Sequence, residues 1–163
     1  MRSVGAFLLL GACTAGGILA AKHLERQAEQ LRLLRLLLTD LMNELRFTLA
    51  PVGGLLHTLA GHAAYRELAF LQNAAANADA FPQSWQTAVR ADRQLSKDAA
   101  AVLLTVGQTL GSTTLDGQLS TLNLCCERLD VLQAAAEQAA QKKGSLCRSL
   151  GLFGGLFCVI LLL

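Results

Sequence analysis

The sequence predicts an all-α protein, a small cytoplasmic helical bundle flanked by N- and C-terminal transmembrane helices. Three observations predict this fold class. Leucines recur at intervals of three and four residues through the middle of the chain, as they do on one face of a helix. Aromatic residues make up only 5% of the 163 residues, so the core has to be built from Leu and Ala, which suits closely packed helices. Each end contains a long uncharged run, as membrane-spanning helices do.

The first predicted membrane segment is residues 4–21, which are uncharged and largely apolar. At ~1.5 Å of rise per residue, this segment is about 27 Å long, close to the ~30 Å thickness of a hydrocarbon core. Two processed forms are alternatives: a short signal peptide that begins at Arg2, and a lipoprotein leader with Cys13 as the lipidated residue. The apolar run continues past Cys13 to Ala21, which favours the membrane helix.

The second predicted membrane segment is residues 144–163, in which no charged side chain follows Arg148. Residues 149–163 alone would reach ~22 Å, which is short for a span. The residues just before them extend the helix to ~30 Å, with the long Arg148 side chain reaching back to the head groups. The alternative for this tail is a helix buried in the protein core.

Small residues one helical turn apart occur in both membrane segments. Gly151 and Gly155 form a G-x-x-x-G pattern, and Gly11 and Ala15 have the same spacing in the first segment. Such a strip lets a second helix backbone approach closely. We expect these strips to pack against each other or against another subunit, including a second copy of the chain. Glycines that merely face lipid are the alternative.

Positive charges orient the chain in the membrane. They follow the first segment, and they precede the uncharged run 149–163 of the second, at Lys22, Arg26, Arg32, Arg35, Lys142, Lys143 and Arg148. Only Arg2 lies on the far side, so the positive-inside rule puts residues 22–143 in the cytoplasm. The five cysteines form no C-x-x-C pair, which agrees with reduced thiols there. The net charge of +2 and the lack of a basic run among aromatics argue against a nucleic-acid partner.

The first helix of the middle region is predicted from Leu24 onward, either as a separate helix or as a continuation of the membrane segment through Lys22. Its apolar stripe consists of Leu31, Leu34, Leu38, Leu41 and Leu45. Pro51 and the glycines at 53–54 are expected to interrupt the chain after it. A shorter helical region is predicted from Leu55 to about Ala78.

Three further helix boundaries have local signals. A turn at 79–82 leads into a helix with Trp85 on its buried face, and Pro82 is expected near the first turn. Ser96 predicts the start of the next helix, which Gly111 closes. The last cytoplasmic helix is predicted over 115–143, with one apolar side formed by Leu119, Leu122, Cys126, Leu129 and Leu132. No window alternates in the manner of a strand, so no sheet is expected.

Residue patterns that carry chemistry are nearly absent. The histidines at 23, 57 and 62 have no partners at metal-ligand spacing, and there is no nucleophile motif or phosphate-binding loop. We therefore expect no enzyme activity, no metal and no cofactor. Glu44 stands out in an apolar neighbourhood and is interpreted as a surface carboxylate that faces a partner or is capped, with a catalytic role as the alternative. Trp85 is interpreted as a core anchor.

Four strings resemble the stage III sporulation protein AB family of endospore-forming bacteria. The tail 148–156, Arg-Ser-Leu-Gly-Leu-Phe-Gly-Gly-Leu, is similar to the start of the family's C-terminal membrane helix. Residues 44–51 match a Glu-Ile-x-Tyr-x-x-x-Pro pattern, with Phe47 in place of Tyr. Residues 81–85 contain the family's Trp at a helix start. Residues 104–118 match a pattern with Gly107, Gly111 and Gln118. Two departures are Thr114, where the family has Asp, and Cys147, where it has Tyr.

The resemblance implies a small helical domain like that of the inner-membrane platform protein of type II secretion systems. It also implies a place in the channel that links mother cell and forespore, in the mother-cell membrane that faces the forespore. The expected partners are the membrane, the other stage III sporulation channel subunits, and the secretion-type ATPase of the same set.

Two functions from different classes follow. The first is a non-enzymatic platform, in which seven residues shape the bundle or its docking face: Glu44, Phe47, Pro51, Trp85, Gly107, Gly111 and Gln118. The alternative is a membrane-anchored regulatory adaptor whose bundle binds a soluble partner.

Overall fold

The protein is helical throughout the part of the chain that the structure describes. This computed structural model describes the backbone of residues 2–48 and 50–162, and the side chains of residues 22, 25–48 and 50–142. These residues form no strand, as the sequence predicts. Six α-helices follow one another: α1 (Arg2–Phe47), α2 (Val52–Gly61), α3 (Ala69–Ala76), α4 (Gln83–Ala91), α5 (Lys97–Thr109) and α6 (Leu115–Leu162). Short 3-10 helices lie at Ala63–Tyr65 and Ala78–Ala80.

The chain divides into two compact units. One contains residues 1–29 and 134–163, which are the beginning of α1 and the end of α6. The other, residues 30–133, is called the helical body below. Among the described side chains, no helix is long and apolar enough to cross a bilayer. The predicted membrane segments, 4–21 and 144–163, lie outside those side chains and stay predictions. The same holds for their small-residue strips at Gly11, Ala15, Gly151 and Gly155.

Helix α1 enters the helical body with one buried face. It runs without a break through Lys22, and Leu31, Leu34, Leu38 and Leu41 of the predicted stripe are buried. Leu37 is buried as well, so the apolar face is wider than a single stripe. Within the body α1 and α6 are antiparallel, because Arg35 pairs with Asp130 and Thr39 lies near Cys126. The Arg35–Asp130 pair is half-exposed and contributes little to stability.

Trp85 is the centre of the core. Its indole N–H donates to the carbonyl of Leu103 at 2.7 Å, which satisfies the only polar atom of the buried ring. The ring of Phe70 meets it edge-on, with centroids 5.4 Å apart. Gly107, one turn along α5 from Leu103, lies directly under the indole. A Cβ added there would be 2.3 Å from Trp85 Cδ1, so only glycine fits.

Two carboxylates tie helices together through long-range hydrogen bonds. The hydroxyl of the buried Tyr65 donates to Asp40 on α1. Burial, and next the hydrogen bond to the Asp40 carboxylate, raise the pKa of Tyr65 well above its usual range. Asp92, at the end of α4, accepts from the backbone N–H groups of Phe70 and Gln94. Asp40 and Asp92 therefore fix the 62–68 connection and α3 against their neighbours.

Several predicted boundaries are confirmed by cap geometry. Ser96 precedes α5, and its hydroxyl accepts from the N–H of Ala99. Pro82 precedes α4, which carries Trp85 on its buried face. The peptide bond between Phe81 and Pro82 is cis.

Three details of the sequence prediction are wrong. Gly53 and Gly54 lie inside α2 and do not interrupt a helix. The break between α1 and α2 occurs earlier, between Phe47 and Val52. The helical region predicted over 55–78 is split at 62–68, where the chain turns through Tyr65. On α6 the buried cysteine is Cys125 and not Cys126, which is a difference of about 100° around the helix.

We predict that Gly107→Ala destabilises the protein by about 1–3 kcal/mol, because the new methyl group would force the indole of Trp85 to move. The measurement is the denaturant midpoint of the full chain in detergent. Gly61→Ala, in the last turn of α2, is the matched control. A Cβ at Gly61 meets nothing within 4 Å, so this variant should be as stable as the natural protein or slightly more so. Equal losses at both positions would contradict the packing described.

We predict that Tyr65 releases its proton only well above pH ~10, the usual pKa of a tyrosine. Because the unfolded chain ionises first, the free energy of unfolding should fall as the pH rises above that value. Tyr65 is the only tyrosine, so tyrosinate absorbance of the full chain reports this group alone. Asp40→Asn should lower the pKa part of the way, since burial remains. Titration of the natural chain at the ordinary pKa would show that the ring is not buried.

Candidate docking site

One end of the helical body collects most of the residues that the sequence singled out. We call it the loop end: residues 44–54, where α1 passes into α2, and residues 108–118, where α5 passes into α6. The two connections meet at Val52, whose side chain is 3.4 Å from the place of a Cβ on Gly111. Gly53 lies beside Ala78 in a similar way, since a Cβ added to Gly53 would be 3.4 Å from the Cβ of Ala78.

The turn between α5 and α6 depends on Gly111 and Gln118. Gly111 has a φ of +74°, a left-handed conformation that favours glycine and ends α5. Its N–H donates to Gln118 Oε1 at 3.2 Å, and Gln118 Nε2 donates to the carbonyl of Thr113 at 2.8 Å. The Gly111 N–H and the Thr113 carbonyl lie between α5 and α6, outside the hydrogen-bond pattern of either helix. The buried side-chain amide of Gln118 supplies the hydrogen-bond partner for both.

The end of α1 contains Glu44. The hydroxyl of Thr48 donates to the Glu44 carbonyl at 2.5 Å, and its distance to the carboxylate Oε2 is 3.4 Å. Glu44 itself is half-buried. A carboxylate in the last turn of a helix lies near the negative end of the helix dipole, so it does not stabilise α1. Pro51 follows, exposed, as the residue before α2, where a missing N–H costs nothing.

Phe47 has no role in the core. Its ring is 85% exposed at the last residue of α1. Leu115, the first residue of α6, is 45% exposed at the same end of the body. These two exposed apolar side chains make this end a candidate surface for a partner to cover. The loop end thus joins a rigid turn to exposed apolar side chains.

The remaining singled-out residues belong to the core. Trp85 and Gly107 form the packing pair in the interior of the helical body. The polar anchors Asp40, Tyr65 and Asp92 were missed by sequence reasoning. Their partners lie 22 or 25 residues away, a separation that no local pattern reports.

The described residues offer binding surface and no arrangement typical of catalysis. They contain no group of three or more His, Cys, Asp or Glu side chains able to hold a metal ion. Burial raises the pKa of both Cys125 and Cys126, which keeps these thiols protonated and unreactive.

Comparison with known proteins identifies the class first: a helical bacterial sporulation protein. A solved structure of a stage III sporulation protein AB has the same fold, with a TM-score of 0.57 at 23% identity over 71% of this chain and 97% of that one. Stage III sporulation protein AB of Bacillus subtilis (strain 168) is 27% identical over 175 residues, covering 100% of this chain and 99% of the relative. The family model described as "Stage III sporulation protein AB (spore_III_AB)" matches residues 2–163. The chain belongs to this family, which supports a role in sporulation.

We predict that Gln118→Ala destabilises the protein by about 1–3 kcal/mol, because it leaves the Gly111 N–H and the Thr113 carbonyl without their partner. Gln108→Ala, at an exposed position of α5, is the control and should change stability by less than ~0.5 kcal/mol. Denaturant midpoints of the two variants in detergent test this. If the two losses are the same, Gln118 does not hold the turn.

Proposed function

We propose that the chain is a non-enzymatic platform subunit of a secretion-like channel between mother cell and forespore. In this proposal its two ends hold it in the mother-cell membrane that faces the forespore, and the helical body lies in the cytoplasm. Family membership supports the link to sporulation. The apolar ends and the distribution of positive charges in the sequence support the anchoring.

The observation that carries the docking role is the exposure of Phe47. An aromatic ring that is 85% exposed gains nothing from the fold, whereas a partner that covers it would remove ~100 Å² or more of apolar surface from water. At ~25 cal/mol per Å², such an anchor contributes about 2–3 kcal/mol to binding. Phe47 therefore has the properties of a binding hot spot.

Charge near Phe47 indicates the chemistry of the partner. Glu44 lies three residues earlier, on the same side of α1, where the helix dipole does not favour it. A partner with an apolar pocket and a neighbouring Lys or Arg would satisfy both side chains. The secretion-type ATPase implied by the family resemblance is the partner we expect at the loop end, with the other channel subunits meeting the chain in the membrane.

A platform needs a docking end that keeps its shape. The Gly111–Gln118 turn and the Val52 contact hold the two connections of the loop end together. Because the side-chain amide of Gln118 holds the turn through two hydrogen bonds to its backbone, the α1 terminus is presented on a preorganised surface, which lowers the entropic cost of binding.

We predict that Phe47→Ala lowers recovery of the secretion-type ATPase with the tagged chain by at least about tenfold, the effect of losing ~1.4 kcal/mol or more. The assay is co-purification from detergent-solubilised membranes of sporulating cells. Phe47→Trp is the matched control, since it keeps an aromatic ring and should keep the partner. Membrane recovery of all three chains should be equal, and spore yield should follow partner recovery. Full recovery of the ATPase with Phe47→Ala would show that the ATPase does not dock on the loop end through Phe47.

A further inference from the structure

The end of α1 carries charges of opposite sign on the two sides of Phe47. Successive residues of an α-helix are turned by ~100° about the helix axis. Phe47 is therefore turned by ~60° from Glu44 in one direction and by ~100° from Arg46 in the other. All three residues belong to α1, and Phe47 is its last residue. Viewed down the helix axis, the order at the loop end is carboxylate, aromatic ring and guanidinium.

Contacts within the helical body fix the direction in which the basic side of Phe47 points. Arg46 lies on the same face of α1 as Arg35 and Thr39, which are about three and about two helical turns earlier. That face meets α6, because Arg35 pairs with Asp130 there and Thr39 lies near the same helix. Arg46 itself is exposed. The basic side of Phe47 is therefore the side toward α6.

The acidic side of Phe47 faces a different part of the body. Glu44 lies about one turn after Asp40 on the same side of α1. Asp40 accepts from the hydroxyl of Tyr65, which lies in the connection between α2 and α3. Contacts on two sides of α1, to α6 and to Tyr65, thus hold the helix at one rotation about its axis. The fold therefore determines which side of Phe47 is acidic and which is basic.

The loop end contains one further charged side chain, Asp116. It lies in the first turn of α6, where the helix dipole favours a carboxylate, so its charge has a role in the fold. Arg46 is likewise favoured in the last turn of α1, whereas Glu44 at the same end is not. Among the described residues, neither Glu44 nor Arg46 takes part in an ion pair. Both charges beside Phe47 are thus available to a partner.

We propose that the loop end binds its partner in a single orientation, set by the order of charges around Phe47. The inference rests on the docking function proposed above, and it names the chemistry of the partner. The partner places a Lys or Arg beside Glu44, an apolar pocket over Phe47, and an Asp or Glu beside Arg46. Covering the ring supplies affinity. The two charges supply specificity, because a partner turned the other way would bring like charges together at both positions.

The test exchanges the two charges in the full chain. Glu44→Lys combined with Arg46→Glu reverses the order around Phe47 and leaves the net charge unchanged. The effects of the two changes on the helix dipole offset one another, so the double variant should unfold at the natural denaturant midpoint. Recovery of the secretion-type ATPase with the tagged chain, from detergent-solubilised membranes of sporulating cells, should fall at least about fivefold. Each single variant should lower recovery as well.

Three controls accompany the exchange. Arg46→Lys keeps the charge and should keep the partner. Glu44→Gln removes one charge at nearly constant size and should lower recovery at least about twofold, which tests the acidic side even if the exchange disturbs folding. The matched control is the same exchange at two adjacent exposed positions of α6 outside the loop end, Glu127→Arg with Arg128→Glu. It should leave recovery unchanged.

The outcomes separate this inference from the docking function. Natural recovery with the loop-end exchange overturns the proposed order, and if each single variant lowers recovery, it shows that the partner responds to net charge. An equal loss with the exchange on α6, or natural recovery with Glu44→Gln, also overturns it. In each of these cases a loss with Phe47→Ala leaves the docking function standing. Natural recovery with Phe47→Ala as well would overturn both proposals.

Discussion

The contact between the indole of Trp85 and the backbone at Gly107 organises the helical body. The ring joins α4 to α5 through its hydrogen bond to Leu103 and reaches α3 through Phe70. A chain so poor in aromatics has one Trp to fill its centre, and the surrounding space is filled by leucine and alanine side chains. Close approach of the helices is possible only because position 107 has no side chain. The other packing contacts are arranged around this one.

The loop end is built on the helices that this core holds together, and we propose that it binds a partner. The side-chain amide of Gln118 closes the α5–α6 turn by accepting from the Gly111 N–H and donating to the Thr113 carbonyl, so the neighbouring α1 terminus lies beside a turn of fixed shape. Phe47 remains exposed at the end of α1, and the half-buried carboxylate of Glu44 lies one turn before it, where the helix dipole does not favour a negative charge. The strings that resemble the sporulation family thus divide into residues that build the body and residues that the body leaves available.

Helix boundaries with local sequence signals could be predicted. Contacts between residues far apart in the chain could not. Ser96 and Gly111 mark the ends of α5 through cap chemistry, which acts within four residues and is legible in the sequence. The hydrogen bond from Tyr65 to Asp40 joins residues 25 positions apart, so the turn at 62–68 had no comparable signal. The loop end was visible only as separate motifs, since the contact between Val52 and Gly111 exists only in three dimensions.

We propose that the two chain ends cross the membrane and leave the loop end in the cytoplasm. The most direct measurement is labelling of Ala50→Cys, an exposed loop-end position, with a membrane-impermeant thiol reagent in protoplasts of vegetative cells made to express the chain, whose cell membrane has its outer face open to the medium. An epitope tag before Met1 reports the other side. We predict that antibody reaches the tag in intact protoplasts, and that position 50 is labelled above the natural chain only after permeabilisation. Labelling of position 50 in intact protoplasts would contradict this orientation.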